Sequence, residues 1–205
     1  MRTSSQESIL IAAASTTSEL SEVRKIAREM SLGVMNAKAI SCRAGDVARG
    51  FQPITDFIDE MAHEVMNLVE KISSEATHLS RLAVQYNHSQ NMLRRFRQVE
   101  KQTHDVKNAS SLEPVMNKLL ADTDSYRDQF LNNVRKLYEL LDDISRSTRG
   151  AQVISTSSRV EASHAKGYRE SLENVADHME QATDKIRHRI QDSGSRLQNV
   201  ISSIS

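Results

Sequence analysis

Three Glu–His pairs have the spacing that metal chemistry uses. Glu60 and His63, Glu75 and His78, and Glu161 and His164 each stand three residues apart. On a helix, residues three apart share a face. Two such pairs on different helices, joined by two more inward glutamates, hold the metals of a di-iron bundle. A metal-binding helical bundle is therefore one functional class to weigh. Two of the three pairs fall in one periodic segment, however. Glu60 and His63 also flank the apolar positions Ile58, Met61 and Val65, which turns them outward. The expectation is solvent-facing histidines, no metal ligands and no cofactor. None of the seven histidines has the context of a phosphotransfer histidine. Cys42 stands beside Arg43, a neighbour that can lower a thiol pKa; a small residue near a crowded turn is the simpler reading. No Ser/His/Asp or Cys/His arrangement and no phosphate-cradling loop occurs. The chain is not expected to be an enzyme.

The elements that must position these residues follow from composition and period. The 205 residues include 2 prolines, 6 glycines and no tryptophan, and 4% are aromatic. Prolines and glycines interrupt helices, so their scarcity predicts long ones. Sandwiches, barrels and doubly wound sheets need frequent turn signals and strand-like runs, which are missing. A hydrophobic fraction of 38% suits helices that each bury one stripe. Lys+Arg and Asp+Glu both number 27, so there is no basic footprint for nucleic acid. The single cysteine excludes an internal disulfide. The longest apolar run, Ile9 to Ala14, falls far short of the ~20 residues of a membrane span. The first residues lack a signal-peptide core. A soluble, cytoplasmic protein with no direct membrane insertion is expected.

From Ile54 the apolar positions recur in steps of four and three: Ile58, Met61, Val65, Leu68 and Ile72, then Leu79, Leu82 and Tyr86, then Leu93 and Phe96. Glu75 and Ser89 fill the two polar slots. Such an a/d seam, held for about six heptads, predicts a long supercoiled helix. A first helix carries Leu20, Val23, Ala27, Met30, Val34 and Ala37, and starts with a capping box of Ser4 and Glu7. A third follows Ser111, with Pro114 in its first turn and a seam through Leu119, Thr123, Tyr126, Phe130, Val134, Leu137, Leu141, Ile144 and Thr148. The four-four step from Tyr126 to Val134 is a local phase shift. A fourth follows Gly167, with Leu172, Val175, Met179, Ala182, Ile186, Ile190 and Leu197. The fold expected is all-α, an elongated antiparallel four-helix coiled-coil bundle in one domain. Hairpin one covers about 4–107 with its tip near 45–50. Hairpin two covers about 112–205 with its tip near 165–167. The two tips would share one end, and the longer middle pair would overhang at the other.

The first tip is the most informative segment. Asn36, Ala37, Arg43, Ala44, Gly45, Arg49, Gly50 and Phe51 resemble, without a gap, the signalling tip of bacterial chemoreceptors (methyl-accepting chemotaxis proteins). That hairpin reads N-A-A-x-E-A-A-R-A-G-E-x-G-R-G-F. Asp46 replaces its turn Glu conservatively, whereas Ile40 stands where the family has Glu. Pro53-Ile54-Thr55 and Phe57-Ile58-Asp59 replace the V-V-A and E-V-R that follow. The resemblance implies a tip that binds neighbouring receptors, a coupling protein and a histidine kinase. It makes Asn36, Arg43, Asp46, Arg49 and Phe51 the candidate partner contacts, with Phe51 anchoring the packing.

The second turn looks like a worn copy of the first. Glu161-Ala162 restores the E-A step, His164 stands where the Arg would be, and Gly167-Tyr168 stands for G-F, with four residues fewer in the loop. Glu161, His164 and Tyr168 thus join the candidate contacts. The repeat implies a single-chain pseudo-dimer of two unlike hairpins, with homo-oligomers as the other option. Arg43 and Glu161 would divide a charge pair between the two hairpins. By the same resemblance Glu75, among Ser73, Ser74 and Thr77, and the pair Glu180-Gln181 are candidate modification sites. Ordinary solvent-facing side chains are the simpler reading. Gly150 reads as a hinge or as a close helix–helix contact. The favoured function is a chemoreceptor-like signalling or scaffold protein; the alternatives are the metal-binding bundle and a purely structural coiled coil.

Overall fold

The computed structural model describes the backbone of residues 3–102 and 106–204, and the side chains of 18–100 and 113–199 other than 152 and 166. Four helices carry almost all of it: α1 (Thr3–Ala44), α2 (Phe51–Gln102), α3 (Val106–His164) and α4 (Arg169–Ile204). Short 3-10 turns, Gly45–Ala48 and Lys166–Tyr168, join α1 to α2 and α3 to α4. Among the described residues there is no strand. Each helix packs on the two that flank it, α1 on α2 and α4, and α3 on α2 and α4. The chain is an up-down-up-down four-helix bundle.

The heptad seam is the core. Leu20, Val23, Ala27, Met30, Val34 and Ala37 of α1 are buried, as are Ile58, Val65, Ile72, Leu79 and Leu82 of α2. Phe130, Val134, Leu137, Leu141 and Ile144 of α3 meet Leu172, Met179, Ile186, Ile190 and Leu197 of α4 in the same cluster. Burying a side chain of this size contributes about 1.5–3 kcal/mol. The helices are 42, 52, 59 and 36 residues long. At ~1.5 Å per residue, the outer pair therefore falls short of the inner pair. The side chains of Ser4 and Glu7, the expected capping box, lie outside the described residues.

Two seam expectations change. α3 begins at Val106, so Pro114 lies inside the helix and not in its first turn. The ring removes one N–H, and the helix continues around a single missing hydrogen bond. The apparent phase shift in α3 also resolves. Asn133 is buried beside Val134, so the run Phe130, Asn133, Leu137 keeps the three-four rhythm with a polar residue in the slot.

That polar slot has a counterpart. Asn133 Nδ2 donates to Glu75 Oε2 at 2.7 Å, and Lys136 Nζ donates to Glu75 Oε1. Two heptads further along α2, the hydroxyls of Ser89 and Thr123 share a buried hydrogen bond of 2.6 Å. Both polar interruptions of the α2 seam therefore face polar residues of α3. A buried polar group left unpartnered costs about 1–3 kcal/mol, so these pairs favour one register of α2 against α3. Glu19 of α1 is held likewise by Ser193 (3.4 Å) and Arg196 (2.6 Å) of α4. Arg24–Glu70 at 2.6 Å cross-links α1 to α2, and Ser147–Glu64 at 2.5 Å adds a further link between α2 and α3.

Candidate functional site

The first tip is built by glycines with different tasks. α1 ends at Ala44, and Gly45 takes φ 63°. This left-handed cap turns the chain off the helix axis, where a side chain would be strained. The 3-10 turn then closes with Arg49 N–H donating to Asp46 O at 3.4 Å, and Gln52 N–H to Arg49 O at 3.3 Å. Gly50 serves the approach of the other hairpin. A Cβ on it would collide with Oε2 and Cδ of Glu161, from the end of α3. The two tips therefore sit together at one end of one bundle.

The second tip also closes with two backbone hydrogen bonds. Ala165 N–H donates to Ala162 O, and Tyr168 N–H to Ala165 O, both at 3.0 Å. Gly167 does not adopt positive φ, and a Cβ there would meet nothing within 4 Å. The buried alanines Ala162 and Ala165 allow the tight passage instead.

The candidate contacts divide. Arg43, Asp46, Arg49 and His164 are exposed. Among the described residues their side chains have no ion pair or hydrogen bond. Glu161 is half-buried over Gly50 and likewise unpaired. The expected Arg43–Glu161 pair does not form, because the Glu161 carboxylate lies over Gly50. Phe51 is corrected outright: its ring is 0% exposed and belongs to the core, so it anchors the bundle and not a partner. Tyr168, its counterpart, is 36% exposed. Asn36 is exposed further along α1, on the groove between α1 and α4. Cys42 is exposed and not packed into the turn.

Beneath this cap the charges are paired. Lys38 bridges Asp56 at 2.9 Å and Asp59 at 3.3 Å; the Asp56 carboxylate holds its ammonium pKa above the ordinary value. Arg159 joins Asp177 at 2.9 Å and also Glu180, and Asp177 chiefly raises its pKa. Arg169 meets Glu173 at 2.8 Å.

The candidate modification residues sit in ordinary roles. Glu75 is the α2–α3 cross-link described above, and the Lys136 ammonium holds its carboxyl below the ordinary value, against the opposing effect of burial. Glu180 is an ion-pair partner of Arg159, and Gln181 is exposed. The Glu–His pairs do not converge. His63 turns to Asp59, His78 Nδ1 lies 3.3 Å from Asn133, and His164 is at the tip. Among the described residues no three His, Cys, Asp or Glu side chains gather where a metal could bind.

One feature escaped the sequence reading, and one of two alternatives is settled. Ser41 Oγ beneath the first turn is buried with no hydrogen-bond partner. Gly150 accommodates the Phe57 ring, whose Cζ would lie 3.0 Å from an added Cβ, so close contact and not hinging accounts for it. No helix among the described residues is long and apolar enough to cross a membrane. No protein-family model and no curated protein matches this chain.

Proposed function

We propose that the chain is a non-enzymatic interaction protein whose double tip docks other proteins, in a chemoreceptor-like signalling or scaffold role of a chemotaxis-type pathway. One observation carries the reading. Arg43, Asp46, Arg49, Glu161 and His164 cap the bundle without a partner among the described residues, while Lys38, Arg159 and Arg169 beside them are held in ion pairs. Unengaged guanidinium and carboxylate groups on a rigid end are suited to oriented, charge-assisted contacts. The residues that resemble a receptor tip are the same ones. Its partners would be a chemotaxis-type histidine kinase, its coupling protein, or other bundles of receptor type.

The test is a pulldown with such a kinase and coupling protein, followed by titration of the variants. Arg43→Ala and Arg49→Ala should each weaken binding about tenfold, since a hydrogen bond to a charged group contributes ~1.5–3 kcal/mol. Their melting temperatures should stay unchanged, because neither side chain has a partner among the described residues. No binding by the unaltered chain removes the reading.

A further inference from the structure

The groove between α1 and α4 is lined by Met30, Gly33 and Val175 and rimmed by Glu29 and Lys185. It encloses about 360 Å³, the lower end of the range for small-ligand sites. Its floor is apolar, with Met30 and Met179 from the core and Val175 beside them. Its opening is created by Gly33, where an added Cβ would meet nothing within 4 Å. A helical glycine is unfavourable relative to alanine, and the bundle shows what one can be for. At Gly150, in the α2–α3 seam, the space is taken by the chain's own Phe57 ring. At Gly33 the corresponding space is open.

The rim carries opposite charges. Glu19 meets Ser193 and Arg196 across the same α1–α4 seam. Ten residues further along each antiparallel helix, Glu29 comes opposite the stretch that includes Lys185, and both line the groove. They form no ion pair with each other, and neither has a partner among the described residues. A carboxylate and an ammonium held apart over an apolar floor are complementary to a ligand with both charges and an apolar body.

We propose that this groove binds a small zwitterion of the size and kind of an apolar amino acid. The ligand ammonium would meet Glu29, the ligand carboxylate Lys185, and the aliphatic part Gly33, Met30 and Met179. The site uses none of Arg43, Asp46, Arg49, Glu161 and His164, so its failure leaves the docking proposal untouched.

The experiment is a titration of the full chain, labelled at its methionine methyls, with L-leucine. N-acetyl-leucine amide, which keeps the side chain and lacks both charges, is the control. The Met30 and Met179 methyl resonances should shift saturably with L-leucine and not with the control. Glu29→Gln and Lys185→Met should each weaken binding at least tenfold. Gly33→Leu, which fills the opening, should abolish it while the chain stays helical. Equal binding of the control overturns the zwitterion assignment. No shift of either methyl at millimolar L-leucine, or full binding by Gly33→Leu, overturns the site. Should Gly33→Leu fail to fold, the two rim variants decide alone.

Discussion

The two tips do the same job with different means. The first spends two glycines, one for a left-handed cap and one for the approach of Glu161. It then drives Phe51 into the core. The second needs no positive φ at its glycine, passes through buried alanines, and leaves Tyr168 at the surface. The lesson is that matching letters in a repeat do not carry matching loads. The first tip is structural through Phe51, Gly45 and Gly50. The second meets the first through the Glu161 carboxylate over Gly50.

Substitution tests that contrast. Phe51→Ala should cost about 3–5 kcal/mol, the usual penalty for deleting a buried phenyl ring. Tyr168→Ala should change stability by less than ~0.5 kcal/mol, as surface substitutions do. Thermal or denaturant melts measure both, and equal losses would erase the asymmetry. Next in size, Gly45→Ala should destabilise by about 1–2 kcal/mol through its left-handed backbone. Gly167→Ala should be neutral or should stabilise by up to ~1 kcal/mol, because alanine restricts the unfolded chain and meets no strain here.

A finer test joins the tips. Gly50→Ala should push the Glu161 side chain aside at a cost of up to ~1 kcal/mol. The same change in a Glu161→Ala background should cost less, a coupling that a double-mutant cycle resolves. Additive effects would mean that Glu161 can leave Gly50 freely.

The smallest effect lies in the shaft, at the Glu75–Lys136 pair. Lys136 lowers the Glu75 pKa below the ordinary 4.5. A depressed carboxyl stabilises the fold above its unfolded value, and that contribution is lost as pH falls through the folded value. Melts between about pH 3 and pH 7 should therefore show an acid limb that is shallower in Lys136→Ala.

Much of the fold was legible because period is a local property. Steps of three and four put Val65, Leu137 and Ile186 on buried stripes whatever their neighbours. The polar gaps Glu75 and Ser89 were legible as gaps. Their partners Asn133, Lys136 and Thr123 were not, because 34 to 61 residues separate the paired groups. Pro114 misled, since the rule for prolines in first turns describes a preference and not a boundary. At the tip, the exposed Arg43, Asp46 and Arg49 were legible as a set, whereas the fate of Phe51 was not. Gly33 and Gly150 look alike in sequence; one faces an aromatic ring and the other an open groove.

By itself, then, the sequence determined the helices, their order, the stripes they bury and the place of both turns. These depend on residue type and spacing within a few turns of helix. Only the tertiary structure decided which glycine is crowded, which aromatic is covered, and which charges are left without partners. Each of those depends on what another helix brings to the same height, and no pattern within one helix records it.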